Sequence, residues 1–266
     1  MKKKFLSALI MASLTLTSSI ALANGNVKVN RLSGNDRYDT SMNIGNEVAK
    51  NLGKLDSIIL ASGENFPDAL SGTTLCKKYN APLLLINNGS KNKVLSFLHK
   101  NLRPNTTVYA LGGEASISED VLKELRSRNY TVKRISGDDR FKTNNKIVDE
   151  MKVKAGTPIF ICNGYGFADA LSASPVAGAK QYPIILVGQN TMSKDTEEQI
   201  KSINPSTFYV IGGTGSVSKE NVNKLLSICP KAKCERIGGN TRYETSEMIN
   251  TKFNLSSIEN IALANG

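Results

Sequence analysis

Six arginines stand at matched places in three stretches of the chain. They are Arg31 and Arg37, Arg134 and Arg140, and Arg236 and Arg242. Each pair sits in a segment Arg-(Ile/Leu)-(Ser/Gly)-Gly-x-x-Arg-(Tyr/Phe)-x-Thr. A guanidinium fork matches two phosphate oxygens at once, so a ring of such forks would suit a polyanion. The competing reading is a structural ion pair. Asp68 and Asp169, each in an Asp-Ala-Leu-Ser turn, are the acids available for it. Arg37 and Arg140 are expected to pair with them, within or between copies. Asn87, Asn88 and Gly89, and likewise Gly188, Gln189 and Asn190, follow apolar runs. Ligands of open α/β sheets meet loops at the carboxyl ends of strands, so these are the second candidate contact set. Gly112-Gly113 and Gly212-Gly213 either bring backbone amides close to a phosphate or simply make tight turns.

Catalytic groupings are thin. His99 is the only histidine and has no copy in the second repeat. The four cysteines, Cys76, Cys162, Cys229 and Cys234, form no CxxC pair. A zinc site or a Ser/His/Asp set therefore lacks its parts, and no metal is expected. Glu64 and Asp68 are close in sequence, but a carboxylate pair means little without a pocket. No dinucleotide fingerprint or Walker loop occurs, so no cofactor is expected. Cys76 and Cys162 lie in apolar patterns and read as buried thiols. Cys229 and Cys234 bracket a short loop that a local disulfide could close after export.

The elements that must position these residues repeat with them. The first arginines of the segments are 134 − 31 = 103 and 236 − 134 = 102 residues apart. That period is too long for a solenoid repeat and suits a small domain used several times. Val27 to Leu32 alternates like a strand. Tyr38 to Leu52 carries Ile44, Val48 and Leu52 at the spacing of one helix face. Ser57 to Ala61, Ala81 to Ile86 with its Pro82-Leu83-Leu84-Leu85, and Thr107 to Leu111 are apolar runs, as strands buried on both faces require. Helices are expected from Pro67, from Lys91 to Asn101, and after Ser118. Pro158 to Cys162, Pro183-Ile184-Ile185-Leu186 and Phe208 to Ile211 repeat the strands. Strict alternation of short apolar strands with helices predicts an open, mainly parallel, Rossmann-like α/β layer fold. Both proline-led runs are core strands on this reading.

The chain opens with Met1 and three lysines, then an apolar run to Ile20 and Ala21-Leu22-Ala23. That is the pattern of a secretory signal peptide over residues 1–23, against the alternative of a membrane anchor. The expected organisation is a first module over 24–133, a second over 134–235 and a partial third over 236–266. The last stops after its first strand, so the sequence reads as a fragment of a longer protein. Losing three lysines takes the formal charge from +11 to +8. An exported basic protein prefers anionic partners such as wall polymers, anionic lipid or released nucleic acid, unless the charge only aids solubility. Trp is absent and basic residues are not interleaved with aromatics, which argues against a nucleic-acid groove.

These stretches, with Phe66-Pro67-Asp68-Ala69-Leu70-Ser71, Phe167-Ala168-Asp169-Ala170-Leu171-Ser172, Pro82-Leu83-Leu84-Leu85 and Leu111-Gly112-Gly113, resemble the cell-wall-binding repeat 2 family of Gram-positive surface proteins. The resemblance covers nearly all of residues 30–266. It implies three modules around a pseudo-threefold axis, holding a protein non-covalently on the wall through an anionic secondary polymer or teichoic-type polymer. It also implies other surface-layer proteins as neighbours and a variable second region. The alternatives are a peptidoglycan hydrolase or an adhesin whose activity lies beyond residue 266.

Overall fold

The computed structural model describes residues 30–253. The expected leader and residues 254–266 lie outside them. The first repeat runs α1 (Arg37–Leu52), β1 (Leu55–Ser62), α2 (Pro67–Tyr79), β2 (Leu83–Ile86), α3 (Lys91–Asn101), β3 (Leu102–Leu111), α4 (Glu119–Ser127), β4 (Thr131–Ile135). The second runs α5 (Arg140–Met151), β5 (Ile159–Asn163), α6 (Ala168–Lys180), β6 (Ile184–Val187), α7 (Lys194–Ile203), β7 (Thr207–Ile211), α8 (Lys219–Ile228), β8 (Lys233–Ile237). A further helix, α9 (Arg242–Lys252), follows. Each repeat forms one four-stranded parallel sheet, ordered β2-β1-β3-β4 and β6-β5-β7-β8. The alternating α/β layer fold expected from the sequence is the fold observed.

The central strands are buried on both faces. Ile58, Ile59, Leu60 and Ala61 on β1, and Ile159, Phe160, Ile161 and Cys162 on β5, are closed to solvent. Pro82 and Pro183 lead the edge strands, and their carbonyls accept from Ile59 N–H and Phe160 N–H. Proline fits there because the first position of an edge strand needs no donor. Leu84, Ile184, Ile185 and Leu186 are buried, while Leu83 and Leu85 are half-buried.

Three local expectations are corrected. Asn30 to Leu32 is not a strand, and Val27 to Val29 lies outside the described residues. The matching residues of later repeats are strands because β3 and β7 lie beside them to pair with β4 and β8. The stripe Ile44–Val48–Leu52 does not face the core of its own module. Ser41, Met42, Gly45 and Ala49 do, and Gly45 lets the Leu84 and Phe97 side chains approach. The four cysteines are free thiols, Cys229 buried and Cys234 exposed, so no disulfide closes that loop.

The two sheets are joined by helices. α2 packs on α5 and α6, and α6 packs on α9. Leu70 of α2 belongs to the apolar cluster of the second repeat, and Ile147 and Met151 of α5 belong to a cluster of the first. Asn144, buried on α5, ties the joint together. Its Nδ2 donates to Ser71 Oγ at 3.0 Å and Ile184 O at 2.8 Å, and its Oδ1 accepts from Leu186 N at 2.9 Å. One amide thus satisfies the outward backbone of edge strand β6 as a neighbouring strand would. On α1 the matching Ser41 does less, accepting from Leu85 N at 3.0 Å.

Candidate functional site

The arginine segment is first a device for starting a helix. Asp36, Asp139 and Thr241 cap α1, α5 and α9 through side-chain oxygens. The motif threonines close the preceding loops: Thr40, Thr143 and Thr245 each accept from a glycine N–H at 3.0 Å, those of Gly34, Gly137 and Gly239. A side chain at any of these glycines would meet the residue ahead of that threonine at 2.3–2.4 Å, so the loop is built for glycine.

The second arginine of each segment reaches the carboxyl end of the first strand. Arg37 Nη1 donates to Gly63 O at 2.8 Å, and Arg140 Nη1 donates to Gly164 O at 2.9 Å. The next residue, Tyr38 or Phe141, lays its ring where a Cβ on that same glycine would stand. Each Arg-(Tyr/Phe) pair therefore clips the loop after β1 or β5. The expected ion pairs with Asp68 and Asp169 are not formed among the described residues. One nitrogen of each arginine fork is given to a carbonyl instead. Arg140 still acts on Asp68 across the joint. Burial raises that carboxyl's pKa, while the Ser116 hydroxyl at 3.3 Å and the Arg140 charge pull it back.

The first arginines of the second and third segments turn inward. Arg134, on β4, gives Nη1 to Gly112 O and Nη2 to Ile117 O and Glu119. Arg236, on β8, gives Nη1 to Gly212 O and Gly213 O and Nη2 to Val217 O. Both clip the last strand to the loop after the third, a structural job. Arg31 is exposed, as is Arg242, whose guanidinium carbon lies 5.3 Å from the centre of the Phe167 ring.

The glycine pairs make tight turns. Gly112 and Gly212 have φ of +98° and +89°, which favours glycine. A Cβ there would meet Asp68 Oδ2 at 2.3 Å or Asp169 Oδ2 at 2.2 Å. A carboxylate standing against the turn repels a phosphate. Gly113 and Gly213 lie beside them with open space around.

The loops at the carboxyl ends of the strands are the accessible part. Asn88, Gln189 and Asn190 are exposed, and Asn87 is half-buried. Asn87 Nδ2 donates to Glu64 Oε1 at 2.7 Å, and Tyr38 Oη donates to the same oxygen at 2.5 Å. These bonds hold the Glu64 carboxyl below its ordinary range. In the second repeat the place of Glu64 is taken by Tyr165, exposed beside Arg140. In the sequence Glu64 drew notice only as a neighbour of Asp68, and Tyr165 not at all. The signal was a difference between two copies, visible only once the copies are superposed on one plan. No group of three His, Cys, Asp or Glu that could hold a metal occurs among the described residues, and no helix there is long and apolar enough to cross a membrane.

The model of cell wall binding domain 2 matches residues 31–122 and 134–222. The chain is 28% identical over 264 residues to the N-acetylmuramoyl-L-alanine amidase LytC of Bacillus subtilis, covering 99% of this chain and 51% of that one. It is 30% identical over 256 residues to the amidase enhancer of the same organism, covering 96% and 34%. Among solved structures, Cwp6 of Clostridium difficile superposes with a TM-score of 0.73 at 30% identity, over 87% of this chain and 38% of that one. The chain thus spans about half or less of the length of these relatives.

Proposed function

The chain belongs to the cell wall binding domain 2 family, and on that premise we propose that it anchors an exported protein to the cell wall by binding an anionic wall polymer. One observation carries the reading. Two copies of the same arginine-bearing loop cluster, at Arg37 and Arg140, are held in one packed unit by α2, α5 and α6. Linked weak sites on a repeating ligand bind far more tightly than either alone. The basic balance of the sequence favours a phosphate- or carboxylate-bearing chain as that ligand. Module boundaries near 24–133, 134–235 and 236–266, with a trio as the complete unit, fit this reading. So does a part in a larger wall protein, the amidase and the amidase enhancer being relatives that extend well beyond the shared region.

The test is retention of the chain on purified Gram-positive walls before and after hydrofluoric acid removes phosphate-linked polymers. Retention is expected on intact walls and its loss on stripped ones. Equal retention on both would overturn the anionic-polymer reading, and no retention on either would overturn anchoring by this chain.

A further inference from the structure

The two sheets open onto solvent through loops of one plan with one telling substitution. Glu64 occupies the position after the loop glycine in the first repeat, and Tyr165 occupies it in the second. Glu64 is a fixed carboxylate, held by Tyr38 and Asn87. It repels anions from its mouth. Tyr165 is 65% exposed, on a loop whose backbone is held. Its N–H donates to Asn163 Oδ1 at 2.7 Å, and Asn163 Nδ2 donates to Ser216 O at 2.7 Å. The Phe141 ring meets it edge-on at 5.5 Å, and the Arg140 guanidinium carbon lies 5.0 Å from its centre. Arg140 commits Nη1 to Gly164 O, and no other bond of its fork is found among the described residues.

An exposed aromatic ring on a fixed backbone, beside a cation with donors to spare, is a recognition surface for a specific chemistry. The C–H face of a pyranose is apolar and lies flat on an aromatic ring, and Tyr adds a polar edge. A phosphate on that sugar takes the guanidinium fork in pairs. We propose that Tyr165 and Arg140 form a subsite for one phosphorylated pyranose unit, present in the second repeat and closed in the first by Glu64. The inference rests on the wall-polymer reading for the origin of its ligand. It adds the sugar-phosphate class and the asymmetry between repeats.

Saturation-transfer NMR on the full chain tests it with two probes, α-D-glucose 1-phosphate and N-acetylglucosamine 1-phosphate. At least one is expected to receive saturation on its ring protons, while glucose and inorganic phosphate alone receive much less. Tyr165→Ala should abolish the signal, Tyr165→Phe should keep it, and Tyr165→Glu, which copies the first repeat, should abolish it. No signal from either probe, or a signal that survives in Tyr165→Ala, overturns the subsite. The same variant should weaken wall retention about threefold to tenfold, the range of one aromatic contact. Unchanged retention would also count against it. Tyr165-dependent probe binding by a chain that walls do not retain would leave the subsite standing and remove the anchoring reading.

Discussion

α1 and α5 are the same helix in two settings. Ile44 on α1 is 45% exposed, whereas its counterparts Ile147 on α5 and Ile249 on α9 are fully buried. The difference is the neighbour. α2 lies against α5, and α6 against α9, while no matching helix lies against α1 among the described residues. On α5 one apolar face covers its own sheet, and the other takes α2, the second helix of the repeat before it. A stripe that looks like a core face in sequence is here a joint between repeats.

The largest expected effect breaks that joint. Ile147→Ala should cost about 2–4 kcal/mol in denaturant unfolding, and Ile44→Ala less than about 0.5 kcal/mol, because only the first leaves a cavity. Equal costs would mean that the two helices are not in different settings. Asn144→Ala comes next, at about 2 kcal/mol, since it orphans a buried donor and acceptor on β6 and a bond to Ser71. Ser41→Ala should cost about 1 kcal/mol, since on the edge strand it orphans only the Leu85 N–H, its other bond going to Tyr38 O on its own helix. A reversed order would contradict the account of the edge strands.

The smallest effect is on pH dependence and sharpens the joint at Asp68. Burial holds that carboxyl above its ordinary value of 3.8. The folded state then binds the proton more tightly than the unfolded chain. Asp68 thus favours folding most at pH below 3.8, and that contribution is lost as pH rises through the folded value. Asp68→Asn removes this dependence. The stability difference, variant minus wild type, should grow more positive as pH rises from about 3 upward. A difference that stays flat or falls would show that the buried carboxyl is better stabilised by Arg140 and Ser116 than its surroundings indicate.

The alternation of apolar runs made the layer fold legible, because strands buried on both faces leave a continuous signature in Ile58 to Ala61 and Ile159 to Cys162. The joints were not legible. Asn144 reads as a helix-weakening polar residue, and nothing local says that it stands in for a strand. The arginines were legible as a set but not in their roles. Arg134 and Arg236 turn onto backbone carbonyls contributed by Gly112 and Gly212, about twenty residues upstream, and only the folded turn makes those carbonyls available. The mouth at Tyr165 was hidden because its meaning lies in the contrast with Glu64.

The central claim is that a basic pair of linked repeats captures a polyanion on the wall. Its most direct measurement is the affinity of the chain for purified, immobilised anionic wall polymer as salt is raised from about 50 to 500 mM, a range over which the Debye length shortens about threefold. The account predicts a steep, continuous loss of affinity across that range. An affinity that does not change with salt would contradict it.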